Sequence, residues 1–113
     1  MPGEIAREYA GVSQTRLVSQ HACAVMIGRT LEAVCNYEGV QGRDFATRLE
    51  KLASDGRIPP TFSEMTTQMR QFRNLGAHAS DTGQLTEGVL RDLIDFLEVL
   101  LEYLYVLPEK LSA

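Results

Sequence analysis

Between Val89 and Leu107 the chain repeats apolar side chains at helical intervals around a few charged ones. Val89, Leu90, Leu93, Ile94, Phe96, Leu97, Val99, Leu100, Leu101, Leu104 and Leu107 alternate with Arg91, Asp92, Asp95, Glu98 and Glu102 in a 3.6-residue rhythm. A segment patterned this way must be a helix with an apolar face, and that face needs other helices to cover it. Nowhere does a period-two alternation of the kind that marks a half-buried strand appear. The fold class is therefore all-α.

Other helices can be placed by the same reasoning. Apolar residues recur from Thr15 to Glu38, with Leu17, Ala24, Ile27, Leu31 and Val34 close to one face, and Gly39 and Gly42 end that segment. Gly28 in its interior costs about 1 kcal/mol relative to Ala, which a close helix crossing would offset. Asp44 is placed to cap a helix with Phe45, Leu49 and Leu52 as its stripe, stopped at Gly56. After Pro59-Pro60, Thr61 and Glu64 have capping-box spacing and open a further helix. Asp81-Thr82-Gly83 reads as a turn, Thr86 as the cap of the last helix, and Pro108 as its stop. Ahead of these lies a short segment, Glu4 to Ala10, with Ile5 and Tyr9 on one face. At 113 residues, residues 1–113 form one domain: four main helices in an up-down bundle with a short N-terminal helical segment.

Composition narrows the function classes. With 44% hydrophobic and 23% charged residues the chain is ordinarily globular. Its net charge of −4 opposes a broad grip on the nucleic-acid backbone. The charge is uneven: residues 1–80 hold 9 basic and 8 acidic side chains (net +1), and residues 81–113 hold 2 basic and 7 acidic (net −5). From Thr66 to Ser80 there is no acid, while Arg70, Arg73 and His78 fall there, a locally electropositive stretch suited to an anion. The apolar run Ala22 to Gly28 is too short to cross a bilayer, and no leader is visible, so a cytoplasmic protein without membrane contact is expected. Cys23 and Cys35 lie 12 residues apart in one helix, about 18 Å along its axis, too far for a disulfide. They read as small buried hydrophobes. With His21 and His78 they show no metal-ligand spacing, so neither metal nor cofactor is expected.

If the helix after Pro60 continues through His78, then Met65, Met69, Phe72 and Gly76 share the buried face. Thr67, Arg70, Asn74 and His78 form the opposing stripe, where the Asn74 amide is within reach of one His78 imidazole nitrogen. Two readings of that stripe stand beside each other: a solvated outer face, or a site that holds an anion. Gly76 also fits a helix C-cap after Leu75, which would place His78 in a loop. Arg29 and Glu32, three apart, read as a surface pair worth about 0.2 to 0.5 kcal/mol.

The run Arg73-Asn74-Leu75-Gly76-Ala77-His78 resembles the signature of the HEPN superfamily, an Arg followed by a polar residue and then a His after four to six positions. Gly28-Arg29-Thr30-Leu31-Glu32, the loop ending Arg57-Ile58-Pro59, and the run from Phe96 to Tyr105 resemble an uncharacterised branch of it, a domain of unknown function found alone or fused to restriction-type proteins. The resemblance implies a HEPN-like helical fold and a metal-independent endoribonuclease acting as a homodimer with the motif at the interface. On it, Arg73 binds the scissile phosphate with Arg70 nearby, Asn74 orients the site, and His78 is the acid or base; RNA or a nucleotide is the ligand. It equally implies, since many members are noncatalytic, a protein- or nucleotide-binding module of a bacterial defence or regulatory system with a defence-protein partner. The apolar excess of the last helix is a separate reason to expect a second copy.

Overall fold

The computed structural model describes residues 1–43, 45–59, 62 and 87–112. Among them the chain is all-α, with no strand. The helices are α1 (Gly3–Arg16), α2 (Gln20–Glu38), α3 (Phe45–Ser54), α4 (Glu87–Leu101), a π-helical turn (Glu102–Val106) and α5 (Leu107–Ser112). No helix among the described residues is long and apolar enough to cross a membrane.

α1 is a full helix rather than the short segment Glu4 to Ala10. Ile5 and Val12 are buried and Tyr9 packs beside them, so one apolar stripe runs along the element. It lies antiparallel to α2, since Glu8 meets Arg29 while Val12 meets Cys23. The close approach of the two helices is at Gly11, where a Cβ would stand 3.4 Å from Met26 Sδ and 3.3 Å from its Cγ. Arg29 therefore pairs across the hairpin with Glu8, at 3.0 Å, and not with Glu32 as its spacing suggested.

The helix expected from Thr15 to Glu38 is broken at Leu17–Ser19. Ser19 has an extended backbone and its hydroxyl accepts from the Ala22 N–H at 3.1 Å, so a new helix starts at Gln20. Leu17, counted on the core face by periodicity, is 96% exposed as a result. Within α2 the expected face holds for Ile27, Leu31 and Val34, which are buried, and Ala24 packs against the core partly buried. Cys23 and Cys35 are buried, as expected of small hydrophobes, and free.

α2 and α3 end in the same way. Gly39 and Gly56 take left-handed backbone (φ 74° and 77°). The next N–H, of Val40 and Arg57, reaches back to the carbonyls of Cys35 and Leu52. This is the Schellman arrangement that left-handed glycine permits without Cβ strain. α3 buries Ala46, Leu49 and Leu52, with Phe45 partly covered. The expected caps Asp44 and Thr86, the Thr61–Glu64 capping box and the Asp81–Gly83 turn lie outside the described residues.

α2 is the element on which α1, α3 and α4 all pack. Gln20 meets Glu87 at one end and Glu38 meets Tyr105 at the other, so α2 and the last rod run parallel. α1 runs against both, as Tyr9 with Glu98 and Arg16 with Glu87 show. The last rod carries most of its apolar excess into the core: Leu90, Leu93, Ile94, Phe96, Leu97, Leu100 and Leu101 are buried.

Pro108 does not stop this rod. The Leu107 N–H bonds to the Glu102 carbonyl, five residues back, in the π turn. A π turn is wider than an α turn, and Pro108, which has no N–H to contribute, comes where the ladder returns to its α register. α5 continues beyond it to Ser112.

Candidate functional site

Arg70, Arg73, Asn74 and His78 lie outside the described residues, as do Met65, Met69, Phe72 and Gly76 of the facing stripe. Phe62 meets the rings of Phe96 and Tyr103 edge to face, with centroids 5.9 and 6.1 Å apart. Glu87 receives Arg16 at 3.4 Å and the Gln20 amide at 3.3 Å. Phe62 is thus held on α4 and its π turn, and Glu87 on the α1–α2 corner.

The described residues bring together a second polar cluster, at the end of α2. Arg57 Nη1 donates to the Glu38 carbonyl at 2.7 Å and to its Oε1 at 3.3 Å, and the Tyr105 hydroxyl donates to Glu38 Oε2 at 3.0 Å. The Tyr37 and Tyr105 rings meet edge to face at 6.0 Å. Burial raises the Tyr105 phenol above its ordinary pKa, and the Glu38 carboxylate that accepts its proton adds to the shift. That phenol stays protonated and acts as a donor, and both Glu38 oxygens are engaged. The cluster clamps α2, the end of α3 and the π turn rather than offering a free base.

Burial pushes the Cys35 thiol up, with nearby Arg48 pulling the other way. Burial likewise raises Cys23, whose Sγ lies 3.6 Å from the Val12 carbonyl. Neither is an activated nucleophile. Tyr9 is raised to about 12 by burial and by its bond to Glu98. Among the described residues no group of three or more His, Cys, Asp or Glu is arranged to hold a metal ion. An open depression of about 390 Å³ is lined by Gly39, Val40, Gln41, Lys51, Ser54 and Asp55, and Lys51 there donates to the Gln41 carbonyl.

A family model described as "Domain of unknown function (DUF4145)" matches residues 12–113. The chain belongs to the DUF4145 family. The match begins inside α1 and runs through every later helix of this DUF4145 domain, the segment holding Arg73 and His78 included. No curated protein and no solved structure matched the chain. The Glu38–Arg57–Tyr105 cluster was not expected from sequence, because its members are 19 and 67 residues apart. The glycines that end α2 and α3 were the only local sign: Glu38 directly precedes Gly39, and Arg57 directly follows Gly56.

Proposed function

We propose that this DUF4145 domain is HEPN-like and acts as a metal-independent endoribonuclease. The observation that carries the reading is the run Arg73-Asn74-Leu75-Gly76-Ala77-His78 inside a stretch, Thr66 to Ser80, that contains no acid. Arg73 binds the scissile phosphate through the planar fork of its guanidinium, which can donate two parallel hydrogen bonds. His78, of a residue type with an unperturbed pKa of about 6.5, moves the proton, and Asn74 fixes its tautomer. In the reaction a ribose 2′-oxygen loses its proton and attacks the adjacent phosphorus, while the 5′-oxygen leaves with a proton. The products are a 2′,3′-cyclic phosphate and a 5′-hydroxyl. Two proton-transfer groups are needed and the motif has one His, so a homodimer supplies the second. The all-α fold supports the HEPN-like assignment.

A second reading is favoured by the acidic balance of the chain, −4 overall with −5 in residues 81–113. In it the domain is a noncatalytic protein- or nucleotide-binding module of a bacterial defence or regulatory system. Turnover separates the two. Under the first reading, His78→Ala and Arg73→Ala each lower RNA cleavage in chelator at least a hundredfold while the helical circular-dichroism spectrum is unchanged. Absence of cleavage by the wild type across a complex RNA pool, with nucleotide or protein binding retained, assigns the second.

A further inference from the structure

Four apolar side chains of the last rod stay at the surface: Val99 (49% exposed), Tyr103 (38%), Leu107 (38%) and Leu111 (85%). They are spaced by four. In an unbroken α-helix such a row drifts by about 40° per step, about 120° from Val99 to Leu111. The π turn from Glu102 to Val106 lies in the middle of it, and its five-back hydrogen bond absorbs about one residue's rotation, roughly 100°. The drift falls to about 20°, so the four side chains make one straight stripe about 18 Å long. The distortion that carries the rod past Pro108 also aligns its exposed apolar face.

The charges beside the stripe are self-complementary. Glu98, Glu102 and Lys110 each directly precede a stripe residue and are exposed, so they form one flank, acidic toward α4 and basic toward α5. In an antiparallel twofold pair the same flanks meet. Matching Val99 to Leu111 and Tyr103 to Leu107 sets Lys110 of each copy between the heights of Glu98 and Glu102 of the other.

We infer that this stripe is the surface on which a second copy of the chain docks, antiparallel about a twofold axis. A stripe of four side chains is small beside the ~800 Å² per partner of tight complexes, so the pairing is reversible and concentration-dependent. The inference stands on the stripe and its flank alone, whether or not the Arg73–His78 motif cleaves RNA.

Sedimentation equilibrium over about 10 to 500 µM, the range that brackets weak association, tests it through a charge swap. Lys110→Glu sets like charges across the pair at both symmetry-related places, and so does Glu102→Lys. Glu102 is chosen because Glu98 already accepts the Tyr9 hydroxyl. Each variant alone is expected to associate at least tenfold more weakly than the wild type. An equimolar mixture of the two is expected to recover wild-type association, because the carboxylate introduced at position 110 of one copy then meets the ammonium introduced at position 102 of the other. Both positions are exposed, and unchanged circular dichroism excludes misfolding. A wild type that is monomeric throughout, variants that associate normally, or a mixture that does not recover would overturn the inference. Association is read by sedimentation and catalysis by RNA cleavage, so either can fail without the other.

Discussion

The Tyr105 hydroxyl donates to Glu38 Oε2 at 3.0 Å across 67 residues of chain, and Arg57 closes on the same carboxylate from the end of α3. One half-buried glutamate thus ties the end of α2 to the π turn and to the α3 exit. Removing one donor leaves a carboxylate short of a partner. Tyr105→Phe is expected to lower the unfolding free energy by about 1.5 to 3 kcal/mol in urea titration, the usual worth of a hydrogen bond to a charged group. Arg57→Ala costs less, since its side chain is 41% exposed.

The two raised tyrosines predict alkaline sensitivity. Tyr9 and Tyr105 both hold their protons more tightly folded than unfolded, where a phenol titrates near 10. Their contribution is therefore complete below about pH 10 and is lost as pH rises through the folded values, about 12 for Tyr9. The thermal midpoint should fall above pH 10, and less steeply in Tyr9→Phe and Tyr105→Phe. Parallel pH profiles for wild type and variants would contradict this.

Leu17 and Leu31 share a helical pattern in the sequence yet differ in fate, 96% and 1% exposed. Leu31→Ala should cost about 2 to 5 kcal/mol, and Leu17→Ser less than about 0.5. Ser19→Ala, which removes the cap that separates them, should cost about 1 kcal/mol, and Ser19→Gly only a few tenths.

Cys23 and Cys35 are buried, free and raised in pKa, so both should resist iodoacetamide in the native protein and react together on unfolding. Peptide mass mapping reads the result. Rapid native labelling of either would show that the α1–α2 or α2–α3 packing is open.

What the sequence disclosed follows the range of the forces involved. α3 was legible because its stripe and its Gly56 stop act within a few residues. The break before α2 was not, because the Ser19 cap competes with an apolar rhythm that runs straight through it. Pro108 was misread as a stop because a lone proline carries no sign of the π turn that accommodates it. The Glu38 clamp depends on contacts between distant parts of the chain and has no spacing to find. For the Arg73–His78 motif the reverse holds: its residue types and order are plain in the sequence, and their chemistry is what the proposed function rests on.

The most direct test of that function is the chemistry of the cut ends. RNA incubated with the protein in excess chelator should yield 2′,3′-cyclic phosphate and 5′-hydroxyl termini, and a 2′-deoxy substitution at the cut position or His78→Ala should abolish both. Cleavage that requires added metal, leaves 3′-hydroxyl ends or persists in His78→Ala would contradict the account.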